Sequence, residues 1–189
     1  VEAVFAGGGG LTAEYSVPLA VHAAIEPMAA TARISGDRLE VWMPTQAPSL
    51  ARAAAAREAG VAESAVIVHP TLAGGSFGAK LETQVAGQAA RLTRHLGRPV
   101  QLTWPRGEDF RHDRYRPAAA GRMTARLDQA NRLTGWLAKI AAPQISREMT
   151  ERLLGDQPLA AAALRLHAGD PAAVAGAVAP YAIPNLAVD

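Results

Sequence analysis

The segment His69-Pro-Thr-Leu-Ala-Gly-Gly-Ser-Phe-Gly-Ala-Lys80 decides how this chain is read. An apolar run, Ala65 to Val68, leads into it, and an amphipathic helical pattern follows at once. Leu81, Val85, Ala89, Leu92 and Leu96 fall on one helical stripe, closed by Gly97 and Pro99. The order predicts a strand, a glycine-rich turn and a helix. Gly74, Gly75 and Gly78 permit positive φ and close backbone approach. N–H groups exposed at such a turn, next to a helix start, suit an anionic or electron-rich ligand. Phe77 among the glycines reads as a side chain placed against something. An ordinary strand-to-helix turn has the same composition, so the pattern leaves both readings open. The spacing matches neither a P-loop nor the dinucleotide fingerprint, since only Gly75-x-x-Gly78 fits the latter.

Outward from this stretch, strands and helices alternate. Upstream, Ala29–Ile34 and Arg38–Met43 form a hairpin pattern around Ser35-Gly36-Asp37, and Thr12–Val17 reads as a strand. Thr45 is placed to cap a helix from Gln46 to Ala59, with Pro48 in its first turn and Gly60 at its end. Downstream, Val100, Leu102 and Trp104 alternate with polar residues, as do Met123, Ala125 and Leu127. A turn near Gln129–Arg132 leads to a strand over Leu133–Ile140. Helices are expected at Gln144–Leu154 and Leu159–His167, then a proline-broken tail. Residues 1–11 read as a flexible lead-in because of Gly7 to Gly10. The sum is an α+β domain: a mixed sheet with hairpins and two main helices, partly parallel around the 65–104 strand–helix–strand unit.

Composition narrows the function classes. The chain has 189 residues, which suits one domain with a small appended lobe. With no cysteine, disulfides, zinc-thiolate sites, iron–sulfur ligation by this chain and a cysteine nucleophile are excluded. A net charge of +2 does not argue for nucleic acid. Pro171–Val188, the longest uncharged run, is broken by prolines and makes a poor membrane span.

Individual polar residues support several chemistries. His22 and Glu26 are spaced i, i+4 and would share a helix face, but Pro27 and the adjoining strand pattern argue against a helix; a structural hydrogen-bond pair is the plainer reading. The segment 107–117 carries Asp109, Arg111, His112, Asp113, Arg114 and Arg116. It reads as a loop or short helix tied by ion pairs, with arginines available to a partner or a phosphate. His69, His95 and His167 lack metal-ligand spacing, and no Ser/His/Asp order is assignable.

These segments together resemble the large, molybdenum-cofactor-binding subunit of the xanthine dehydrogenase/aldehyde oxidase family, and within it the isoquinoline 1-oxidoreductase branch. His22-Ala-Ala-Ile-Glu26-Pro27 resembles its His-x-x-x-Glu-Pro segment. Glu40-Val-Trp-Met-Pro-Thr-Gln46 resembles its Glu-Val-Trp-x-Pro-Thr-Gln strand end, and Gly74-Gly-Ser-Phe-Gly78 its Gly-Gly-Gly-Phe-Gly loop. Gly97-Arg-Pro-Val100 with Glu108-Asp109, and Tyr181-Ala-Ile-Pro-Asn185, follow in the family's order.

The resemblance implies a molybdopterin-binding-domain fold over 1–189, with 144–189 a helical, proline-broken extension. It implies a molybdenum–molybdopterin cofactor, in the cytosine dinucleotide form, in the full-length protein. That cofactor inserts a water-derived oxygen into a carbon–hydrogen bond of a heterocycle or aldehyde. The implied partners are the remainder of the large subunit, an iron–sulfur small subunit and that small-molecule substrate, with no nucleic acid. Gly74, Gly75, Ser76, Phe77 and Gly78 take the cofactor-binding role; no residue takes a catalytic or metal-ligating one. Departures accompany the match. Ser76 and Ala79 stand where such loops carry glycine, and Ala20 stands where many members carry glutamine. The family's catalytic glutamate falls beyond Asp189, and neither Glu26 nor Glu82 matches it. The expectation is therefore a fragment of a bacterial-type enzyme, cytoplasmic or periplasmic, holding no cofactor and inactive by itself. The alternatives are a stand-alone phosphate- or nucleotide-binding module and a structural assembly domain.

Overall fold

The computed structural model describes residues 1–6, 10–154 and 170–189. Its elements run α1 (Glu2–Phe5), β1 (Leu11–Val17), β2 (Ala29–Ser35), β3 (Arg38–Met43), α2 (Pro48–Ala59), β4 (Val66–Pro70), α3 (Gln84–Leu96), β5 (Val100–Thr103), α4 (Arg106–Arg111), β6 (Ala119–Leu127), β7 (Leu133–Ala141), α5 (Ile145–Leu154) and β8 (Asn185–Val188). The α+β class and the mixed sheets follow the expectation. The expected helix Leu159–His167 and most of the glycine run, Gly7–Gly9, lie outside the described residues. The chain divides into two compact units, Val21–Tyr115 and Val1–Ala20 with Arg116–Asp189.

In the unit Val21–Tyr115 the sheet order is β4-β3-β2-β5. The β2–β3 hairpin turns at Gly36, with Ser35 opposite Arg38. Alternation sends Ala30, Ala32, Leu39, Val41 and Met43 into one core, under α2 and α3. The helices cover that face with small residues: Ala51, Ala55 and Ala56 from α2, and Val85, Ala86, Ala89 and Ala90 from α3. Alanine is the best helix former and adds little bulk, so the two helices lie close together. A Cβ on Gly87 would stand 2.8 Å from Glu58 Cγ, which makes α3 dependent on glycine there. Buried Thr93 pins α3 to the sheet by donating from Oγ1 to the Ala32 carbonyl at 3.1 Å.

Several local expectations shift. β3 and β4 are the parallel neighbours, joined by α2. β4 and β5, which flank the glycine turn and α3, run the same way but stand at opposite edges of the sheet. Thr45 does not cap α2: its Oγ1 accepts from the Ala47 N–H at 3.0 Å, and the helix begins at Pro48. The buried face of α3 runs through Val85, Ala86, Ala89, Ala90 and Thr93, which leaves Leu92 and Leu96 exposed.

In the other unit, β1-β6-β7-β8 form a second sheet, antiparallel except for the parallel β7–β8 pair. β8 lies in the stretch expected to be a broken tail. Asn185 Nδ2 donates to the Thr134 carbonyl at 3.0 Å, and Ile140 N–H donates to the Asp189 carbonyl at 2.8 Å. No helix among the described residues is long and apolar enough to cross a membrane.

Candidate functional site

The site is built within the unit Val21–Tyr115, from the glycine loop after β4 and two segments folded against it. The loop does not pass straight into α3. A short 3₁₀ turn, Ala79–Leu81, intervenes, and α3 starts at Gln84. Gly75 and Gly78 have φ of 86° and 107°, and Phe77 between them has φ of 54°. A bulky side chain at positive φ costs about 1–3 kcal/mol and persists only where its surroundings impose it. Here the Phe77 ring folds back over Gly75, within 3.5 Å of where a Cβ would stand. Phe77 is 64% exposed, an aromatic face presented outward from a constrained turn.

The loop is clasped from behind. Gly74 N–H donates to Glu26 Oε2 at 2.8 Å, and Glu26 N–H donates to the Gly74 carbonyl at 3.3 Å. The approach is so close that a Cβ on Gly74 would meet Glu26 Cβ at 2.8 Å. The same carboxylate takes the Lys80 ammonium at 2.5 Å, with Lys80 only 1% exposed and the Glu26 side chain 34% exposed. Burial pushes the Glu26 carboxyl up, but the hydrogen bonds from Lys80 and Gly74 outweigh it and hold it below the ordinary carboxylate range. The Lys80 carbonyl in turn accepts from Gln46 N–H at 2.9 Å, tying the loop's end to the segment after β3. Internally, Ala79 N–H donates to the Ser76 carbonyl at 2.9 Å. The N–H groups of Gly75, Ser76 and Gly78 donate to no acceptor among the described residues.

The segment His22–Met28 is irregular, with Pro27 in it and Ala23 at φ 48°. Polar groups around α4 hold it in place. Asp113 accepts from His22 twice, from the backbone N–H at 2.6 Å and from Nδ1 at 2.7 Å. Asp109 accepts from Met28 N–H at 3.2 Å and from Arg106 at 2.8 Å, while Arg106 also reaches the Ile25 carbonyl. The expected ion-paired short helix is present as α4, with Arg111 on Glu108. Asp109 within it and Asp113 just after it anchor the adjoining segment. A cavity of about 20 Å³ lies among His22, Glu26, Lys80, Asp109 and Asp113. It has room for about one water-sized group.

His22 and Glu26 therefore do not pair with each other. Each takes a partner distant in sequence, Asp113 and Lys80 respectively. Lys80 is the site residue that reading by motif missed. The available signal was a lysine, rare in this arginine-rich chain, ending a glycine loop. Among the described residues no group of three or more His, Asp or Glu is arranged to hold a metal ion. The groups the loop offers are backbone hydrogen-bond donors and an aromatic face. They suit a ligand rich in hydrogen-bond acceptors.

Residues 1–144 match the protein family described as molybdopterin cofactor-binding domain. The chain is 31% identical over 131 residues to the isoquinoline 1-oxidoreductase subunit beta of Brevundimonas diminuta, covering 68% of this chain and 17% of that protein. It is 32% identical over 126 residues to PaoC, the aldehyde oxidoreductase molybdenum-binding subunit of Escherichia coli (strain K12), covering 66% of this chain and 17% of that one. Quinoline 2-oxidoreductase from Pseudomonas putida 86 superposes with a TM-score of 0.60 at 25% identity, over 73% of this chain and 18% of that one. The chain thus spans under a fifth of the length of each of these proteins.

Proposed function

We propose that this chain, which belongs to the molybdopterin cofactor-binding domain family of the xanthine dehydrogenase/aldehyde oxidoreductase enzymes, forms one wall of the cofactor site in a molybdenum hydroxylase large subunit. The backbone of Gly74, Gly75, Ser76, Phe77 and Gly78 lies against the cofactor. One observation supports the reading: a turn held at positive φ through Phe77, clasped by Glu26 and buried Lys80, leaves the N–H groups of Gly75, Ser76 and Gly78 with no acceptor among the described residues. Donors fixed before binding need no reorganisation when they meet an acceptor. When bound, the cofactor's molybdenum centre supplies insertion of a water-derived oxygen into a carbon–hydrogen bond of a heterocycle or aldehyde. The chain's own work is to orient that group with the loop amides and to limit its movement with the Phe77 face. The cytosine dinucleotide form is the cofactor we assign, with the rest of the large subunit and an iron–sulfur small subunit as partners. The 189-residue chain alone is inactive on this reading, since it supplies no residue matching the family's catalytic glutamate.

Phe77→Ala in the full-length subunit tests the proposal. Molybdenum and pterin content, or turnover, should fall at least about tenfold while the thermal midpoint holds, one contact's worth of free energy. Unchanged content and turnover would reduce the segment to a structural element. Calorimetric binding of a nucleotide or of inorganic phosphate to the isolated chain would favour the phosphate-binding alternative instead.

A further inference from the structure

We propose that Asp113 sets the tautomer of His22 so that Nε2 is a hydrogen-bond acceptor for an N–H or O–H group seated against Gly78; this rests on the glycine loop being the ligand-facing wall. The side chains of His22 and Asp113 are 12% and 8% exposed, and their pairing joins residues far apart in sequence. Asp113 spends both oxygens on His22. Oδ2 accepts from the backbone N–H at 2.6 Å, and Oδ1 faces Nδ1 at 2.7 Å. An ionised carboxylate only accepts, so the imidazole proton must sit on Nδ1. In the neutral ring that leaves Nε2 as a lone pair. Nε2 has no partner among the described residues. It stands 3.6 Å from where a Cβ on Gly78 would be. The acceptor therefore lies beside the loop residue whose φ of 107° disfavours a side chain.

The loop and His22 are complementary. Gly75, Ser76 and Gly78 present donors, and His22 presents an acceptor beside them. A ligand matched to both carries acceptors on one part of its edge and an N–H or O–H on another. A bare oxyanion lacks the second feature, and a bare metal ion lacks the first. Asp113 acts through His22 and is a positioning residue.

Asp113→Asn tests the tautomer without breaking the fold. The His22 backbone N–H is always a donor, so the asparagine oxygen must face it. The amide NH₂ is then left opposite Nδ1, which drives the proton to Nε2. Both hydrogen bonds survive while Nε2 changes from acceptor to donor. Nitrogen-15 spectra of the histidine-labelled holoenzyme should show Nδ1–H in the parent and Nε2–H in the variant. Retained pterin should fall about tenfold, the scale of one lost hydrogen bond in a desolvated site. His22→Asn, which keeps only the Asp113 contact, should fall similarly. His22→Gln, which returns an acceptor near the Nε2 position, should recover most of the content. If content holds but KM for the heterocycle or aldehyde rises about tenfold at constant kcat, the N–H or O–H group belongs to the substrate, and the acceptor role stands. Unchanged content and KM in both Asp113→Asn and His22→Asn, or Nε2–H in the parent, would overturn the inference. Gly78→Val, assayed in parallel, separates the two levels. Should it keep full pterin content, the loop reading fails; should it lose pterin while the His22 and Asp113 variants match the parent, only the inference on His22 fails.

Discussion

Glu26→Gln should destabilise this protein more than Lys80→Met, although the two substitutions remove the same ion pair. The asymmetry lies in where each partner is left. Lys80 is 1% exposed, and Glu26 Oε2 at 2.5 Å is its anionic partner. Glu26→Gln leaves a buried ammonium without its anionic partner. Removing one partner of a buried pair costs about 3–5 kcal/mol, and we take about 3 because the Glu26 end reaches solvent. Lys80→Met keeps the apolar stem and leaves a carboxylate that still accepts from Gly74 at 2.8 Å. Its cost is close to one charge-assisted hydrogen bond, about 1.5 kcal/mol. In the double variant no charge is stranded, so the loss should return to about 1.5 kcal/mol, a coupling of about 3 kcal/mol between the sites. Urea unfolding followed by tryptophan emission reads this directly, with Trp42 and Trp104 in the same unit as the pair. At an m value of about 2 kcal/mol/M, Glu26→Gln moves the midpoint by about 1.5 M. Equal losses in the single variants, or losses that add in the double, would refute the argument that Lys80 burial sets the scale.

Gly78→Val should cost about 1–3 kcal/mol, because its φ of 107° strains a β-branched residue; an unchanged thermal midpoint would contradict this. Acid should weaken the clasp with a definite sign. The Glu26 carboxyl is held low in the folded state, so its contribution is present at neutral pH and is lost as pH falls below the ordinary value of 4.5. Urea midpoints taken between pH 7 and 3 should therefore fall more steeply for the parent than for Glu26→Gln. Thr93→Val should cost about 1 kcal/mol by removing the hydroxyl that ties α3 to Ala32, measured as a shift in urea midpoint at unchanged m.

How much of the fold was legible follows from which forces are local. The β2–β3 hairpin was readable because Leu39 and Val41 alternate with Arg38 and Glu40 around a Ser-Gly-Asp turn, and one face is buried. The start of α2 was misplaced by two residues. Thr45 is a plausible cap in sequence, yet its hydroxyl closes a turn on Ala47 before the helix begins. β8 was invisible because Asn185–Val188 is short and lies among prolines; its strand geometry comes from pairing with β7 across half a hundred residues. Which strand neighbours β4 was equally undecidable, since the run Val66–Val68 carries no mark of its partner. The stripe on α3 misled for a different reason. Leu92 and Leu96 promised a wide apolar face, but alanines in both helices set the closest contact, and the leucines fall outside it.

The site divides along the same line. Its glycines were legible because positive φ and a 2.8 Å approach to Glu26 Cβ leave few other residues possible, and that constraint is written at each position. Its charges were not legible. His22 and Glu26 suggest one another at i, i+4, but that spacing means proximity only on a helix. Pro27 and the left-handed Ala23 keep the segment irregular, so the two side chains answer to different partners. The consequence is a division of labour that no motif expresses. Glu26 with Lys80 fixes the loop at Gly74, and Asp113 with His22 fixes a polar atom beside Gly78. The two pairs share no residue and no hydrogen bond, although both line the same small cavity. Substitutions in the first should therefore report mainly on stability and those in the second on binding, and a Lys80→Met/Asp113→Asn double variant should lose the sum of the two stability effects within about 0.5 kcal/mol. A larger interaction would mean that the loop is one cooperative network coupled through that cavity, and the separate roles assigned to the two pairs would have to be merged.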